Sequence, residues 1–185
     1  MTAATKTITC NFIGDFKVGD NILANAKALC RLSSQNDKGI FNKLMVVQAG
    51  SIVEAALDQI IFRAQNYTKE GVPSIPDETI KKIRNTRIER FNNIIQAMKK
   101  HKLLDGLGED IYRDLDRLRE LRNRIHIQFD DEPVGVDRDD SKAFTDVTVV
   151  QSLALCTSIL EYLCNTYARP KNLGAYAHDI SIPQR

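Results

Sequence analysis

One segment governs what this chain can fold into. Residues 40 to 66, "IFNKLMVVQAGSIVEAALDQIIFRAQN", are apolar nearly all round at helical spacing and contain no Pro and a single Gly. The run is too long for one strand, so it reads as a central helix covered on most sides by other elements. Gly50 lies within it and removes a side chain where a neighbouring helix can come close. A helix that is greasy all round needs a shell, and the remaining sequence has to supply it.

The expected shell is helical. Asp20 caps a helix in which Ile22, Leu23, Ala26, Leu29 and Leu32 recur at three- and four-residue steps, stopping before Gly39. "TKEGVPSIPD" is a connecting loop, and Pro76 opens a helix running to about Lys102 with Ile80, Ile83, Phe91, Ile94, Ile95 and Met98 on its buried face. "LLDGLGED" ends it, with Gly106 at the left-handed C-terminal position and Gly108-Glu109-Asp110 starting a fourth helix. Thr145 or Asp146 caps a last helix through Tyr167, and Pro170 ends it. The expected fold is all-α, an up-and-down bundle of four long helices plus a fifth. Residues 1–19 form an N-terminal arm able to make a short strand, 20–168 one helical domain, and 169–185 a C-terminal tail.

Charge narrows the function classes only locally. Lys plus Arg is 26 against 24 for Asp plus Glu, so net charge advertises no polyanion affinity. From Lys81 to His126, however, there are 13 basic against 7 acidic residues, and from Asp130 to Asp146 there are 7 acidic against 2 basic. A basic helical middle beside an acidic loop suits a polyanion site with a repelling rim, and equally a solvated surface. Cys10, Cys30, Cys156 and Cys164 have no CxxC spacing and read as reduced core residues. With no signal peptide and no apolar run read as membrane-spanning, the expectation is a cytoplasmic protein with no membrane partner.

The chemistry-bearing stretch is "DLDRLRELRNRIHIQF", residues 114 to 129. On a wheel at about 100° per residue, Ile111, Leu115, Leu118, Leu121, Ile125 and Phe129 share one apolar arc. Arg122 falls inside that arc, His126 at its margin and Arg119 beside them, whereas Arg117 and Arg124 face the opposite, solvated side. An unpaired buried guanidinium costs several kcal/mol, so an anion must meet Arg122. Two partners are open. One is internal, since Glu54 and Asp58 sit one turn apart on the central helix. The other is a phosphate, which suits the planar fork of an arginine beside a histidine that exchanges protons near neutral pH. Both hold at once if Glu54 orients Arg122 for an incoming phosphate.

"LRELRNRIHI", preceded by a central helix of the type "AGSIVEAALDQII", resembles the HEPN superfamily of small helical-bundle proteins, over about residues 20 to 168. HEPN ribonucleases typically carry an Arg, four to six intervening residues and a His, with a polar residue, often Asn, directly after the Arg. Asn123 follows Arg122, with three residues between Arg122 and His126; Arg119 to His126 has six between, followed by Glu120. Both arginines therefore stand as candidates for the motif position. The resemblance implies metal-independent RNA cleavage, in which the 2′-OH attacks the adjacent phosphorus to leave a 2′,3′-cyclic phosphate. It also implies a homodimer, so that two copies of His126, Arg122 and Asn123 share one cleft, with Arg119 extending the groove for RNA.

Rival chemistries find little support. His101 follows two lysines at a helix end, His178 lies in the tail, and no HxxxH or His/Cys cluster marks a metal site. "GDFKVGD" and "GLGED" lack the phosphate-loop pattern, and no GxSxG is present. Tyr112 and Phe91 are candidates for stacking on bases, or for core positions. The reading is an RNA-cleaving HEPN-like domain of the toxin or phage-defence type, with a possible antitoxin and no cofactor. The alternatives are a non-catalytic HEPN nucleotide- or partner-binding dimerisation module, and a plain structural bundle in which Glu54 fully engages Arg122.

Overall fold

The computed structural model describes residues 4–125, 136–173 and 177–185. At its centre is α2 (Asn42–Asn66), with fifteen of its residues buried, among them Ile52, Val53, Leu57, Ile60 and Ile61. It packs against α7 (Asp146–Thr166), α1 (Phe16–Ser34), α5 (Ile111–Asn123), α3 (Asp77–Arg84) and α4 (Phe91–Lys100). The expectation of a covered central helix holds. By length and composition α2 and α7 are apolar enough to cross a membrane, with mean hydropathies of 1.4 and 1.5 over their best windows. That corrects the expectation that no such run exists. In this fold much of both windows faces protein, because the two helices pack on one another.

The chain is mostly helical but not all-α. β1 (Thr5–Cys10) pairs antiparallel with β2 (His178–Pro183), with Thr5 opposite Pro183, Ile8 opposite Ile180 and Cys10 opposite His178. β2 lies on α1, and β1 lies mainly on α7. Ile8, Cys10, Ile180 and Ile182 enter the main core. The N-terminal arm does make the short strand read from its alternation, and the C-terminal tail supplies its partner.

Several boundaries move for local reasons. α1 starts four residues before Asp20: its cap is Asp15, whose Oδ1 accepts from Lys17 N at 2.8 Å and Val18 N at 3.2 Å. Gln59 of α2 fixes that entry by accepting from Gly14 N and Asp15 N. The single helix expected over 76–102 is two. After Arg84 the chain leaves helical geometry through Asn85 and Thr86, residues that compete with the helix for backbone hydrogen bonds. Ile88 turns into the core before α4 begins at Phe91. The full set of expected apolar positions from Ile80 to Met98 is buried all the same.

The left-handed residue after α4 is Lys102 (φ 56°), not Gly106. Gly106 instead abuts a ring, since a Cβ there would lie 2.8 Å from Tyr162 Cε2. α7 begins as expected, with Thr145 accepting from Thr148 N. A short α6 (Asp140–Ala143), capped by Asp139, occupies part of the acidic segment.

A buried arginine ties the ends of these elements together. Arg63, 2% exposed, donates from Nη1 to the carbonyls of Phe12 (3.0 Å) and Tyr167, and from Nη2 to Gly71 (2.6 Å). Thus the segment before α1, the end of α7 and the loop after α2 meet at one guanidinium. Desolvation and the neighbouring Arg169 lower its pKa to about 10, which leaves it charged at neutral pH.

Candidate functional site on the α2–α5 seam

α5 is built to lie on α2. Ile111, Leu115, Leu118 and Leu121 are its buried face, and Gly50 sets how closely the two helices approach. A Cβ at Gly50 would fall 2.9 Å from Arg122 Cβ and 3.1 Å from its Cγ. Arg122 therefore rides over the one α2 position without a side chain, as the lone glycine of that helix suggests.

One turn further along α2, Glu54 accepts an ion-paired hydrogen bond from Arg122 Nη2. The Arg122 side chain is 34% exposed and that of Glu54 is 20% exposed, so the pair lies at the edge of the packed stripe. Arg122 Nη1 also reaches Asn123 Oδ1 at 3.3 Å. Asp58, one turn after Glu54, is half-buried; burial first, and the Glu54 charge second, push its carboxyl above the usual aspartate range. Gly50, Glu54 and Asp58 form an i, i+4, i+8 row along α2.

Arg119 is brought to the same helix but is otherwise engaged. Its guanidinium pairs with Glu120 and approaches Asp116 Oδ1 at 3.4 Å, both on α5 itself. The seam thus gathers Arg119, Arg122 and Asn123 with four carboxylates: Glu54, Asp58, Asp116 and Glu120. His126 and Phe129 lie outside the described residues. α5 ends at Asn123, so the wheel angles given to positions after it assume a helix that the described chain does not continue. Ile125 shows the consequence: expected in the apolar arc, it is 52% exposed.

Arg124 corrects the expectation of a solvated residue. It is 5% exposed, donates to the Arg138 carbonyl and to Asp140 Oδ1 (3.0 Å), and lies with its Cζ 5.9 Å from the Phe144 ring centroid. Lys43 of α2 pairs with the same Asp140 at 2.7 Å and also faces that ring. The acidic segment around α6 is therefore clamped to the end of α5 and the start of α2. Arg117 is exposed, as its place on the wheel implies.

Both candidate stacking aromatics are structural. Phe91 is buried, and Tyr112 Oη donates to Asp105 Oδ1 and accepts from Leu104 N. Among the described residues no group of three His, Cys, Asp or Glu side chains is placed to hold a metal ion. No protein-family model matches the chain, and neither a curated protein nor a solved structure is significantly similar to it.

Proposed function

We propose that this chain is a HEPN-like, metal-independent endoribonuclease of the toxin or phage-defence type. In this reading the helices form an up-and-down bundle of the HEPN kind, and the protein acts on RNA in the cytoplasm as a homodimer. The observation that supports it is Arg122: a guanidinium held by Glu54 at the edge of a helix seam, half open to solvent, with Asn123 beside it and His126 four positions on.

Each group has a role set by its chemistry. Arg122 stabilises charge that builds on the phosphoryl oxygens during 2′-OH attack, where a charge-assisted fork acts most strongly. Glu54 keeps that fork in one orientation. Asn123 supplies a neutral donor or positions Arg122. His126 moves protons, and its copy in the second protomer covers the opposite step, because one imidazole does not serve as base and acid at the same moment. Arg119 extends the anion-binding edge once RNA displaces its contacts with Asp116 and Glu120.

A second reading draws on a specific observation. Both arginines already meet carboxylates, and four acids share the seam with two guanidiniums. This electrostatic balance suits a non-catalytic module that binds a nucleotide or a partner such as an antitoxin. The deciding experiment is incubation of the purified dimer with single-stranded RNA in EDTA, followed by end-group analysis. Products ending in 2′,3′-cyclic phosphate support the nuclease; intact RNA with a stable dimer supports the binding module.

A further inference from the structure

At the far side of the molecule from the α2–α5 pairing, two thiols meet. Cys10 ends β1, and Cys164 lies in the last turn of α7, the helix on which β1 packs. The Cys10 thiol donates a hydrogen bond to Cys164, and the Asn11 N–H donates a second to the same sulfur. We propose that Cys164 and Cys10 are a redox pair, which a low-molecular-weight disulfide such as glutathione disulfide converts into a bond joining β1 to α7.

The two cysteines are suited to different halves of that reaction. Cys164 is partly exposed and Cys10 is fully buried. The hydrogen bonds from Cys10 and Asn11 favour a thiolate at Cys164 and lower its pKa, against opposing contributions from burial and Glu161. Glu161 is itself paired with Lys6 at 2.6 Å. The Cys10 thiol is pushed up, first by that hydrogen bond, then by burial, with Cys156 and Asp179 adding to it. An exposed thiolate attacks fastest, and a buried thiol in contact with it resolves the product.

The reaction balances. The Cys164 thiolate attacks one sulfur of the small disulfide, whose S–S bond breaks and releases one small thiolate. Cys10 then loses its proton to solvent and attacks Cys164 Sγ, expelling the second small thiolate. The protein gives up two electrons, and the small disulfide is reduced to two thiols.

The other cysteines are poorly placed to compete. Cys156 is completely buried on α7, and burial raises its pKa to about 12. Cys30 is likewise pushed up by burial and donates to the Ser181 carbonyl at 3.3 Å. The pairing read from the sequence as four inert core thiols is therefore unequal: one pair is poised and two thiols are not.

The test uses the full chain and glutathione disulfide. Reacted protein is acid-quenched, alkylated and mapped by mass spectrometry without reduction. We expect two of the four thiols to be lost and a Cys10–Cys164 linked peptide to dominate. Cys10→Ser should stop at a single glutathione adduct on Cys164, and Cys156→Ser should form the wild-type link at the wild-type rate. Retention of all four thiols, a persistent adduct in the wild type, or a Cys156–Cys164 link would overturn the proposal. If Cys10→Ser fails to fold, the wild-type map and Cys156→Ser still decide it.

Discussion

Gly50 and Arg122 touch across the α2–α5 seam so closely that a single methyl group at Gly50 would collide with the arginine's Cβ and Cγ. The near end of a side chain cannot swing away as its tip can, so α5 itself would have to move. Gly50→Ala should therefore cost about 1–3 kcal/mol in overpacking, offset by about 1 kcal/mol of helix propensity. A lower midpoint in urea with an unchanged slope is the expected outcome. A midpoint equal to or above wild type would show that the helices are not in contact there.

Arg63 presents a larger expectation. Its three carbonyl partners come from separate parts of the chain, and Arg63→Ala leaves all of them without that donor. At about 1–3 kcal/mol per unsatisfied buried group, the loss should be roughly 3–5 kcal/mol, a large fraction of a domain's stability. Chemical denaturation measures it, and limited proteolysis should show earlier cutting near Phe12 and Tyr167. Near wild-type stability would mean that water replaces the guanidinium at little cost.

Asp58 makes a prediction about pH. Its pKa is raised in the folded protein by burial and by Glu54, so the folded state holds its proton more tightly than the unfolded chain does. The stabilisation is fully present below the unfolded aspartate pKa and is lost as pH rises through the higher folded value. Asp58→Asn removes this dependence. Relative to wild type, the variant should gain stability on going from acid to neutral pH, read as a widening difference in denaturation midpoint. A difference that is constant with pH would assign Asp58 an ordinary pKa.

Much of this architecture is legible in the sequence, and the misses have physical causes. An apolar run with no polar face can only be a covered helix, and the glycine within it marks the point of closest approach. Glu54 and Arg122 are legible as partners because a half-buried guanidinium requires an anion. The strand at 178–183 carries a period-two signal in His178, Ile180 and Ile182, but its ladder partner is Thr5–Cys10, far away in the chain. No local pattern reports such a pairing. Arg124 was placed on the solvated face by extending a helix past its real end; once α5 stops at Asn123, wheel angles no longer apply and the side chain folds over Phe144. The break at 85–90 hides within an unbroken apolar spacing, because Ile88 fills the core from a non-helical backbone.

The central claim is that Arg122 and His126 act together on RNA, and single-turnover cleavage by His126→Ala in EDTA tests it most directly. His126 follows the end of α5 and is outside the helix's buried face, so the variant should keep the wild-type fold by circular dichroism and the wild-type oligomeric state by light scattering. The account predicts measurable metal-free cleavage by wild type and a loss of roughly 10²–10⁴-fold in the variant, the contribution of a general acid or base. Equal cleavage by the two proteins, or no cleavage by a folded wild-type dimer, would contradict it.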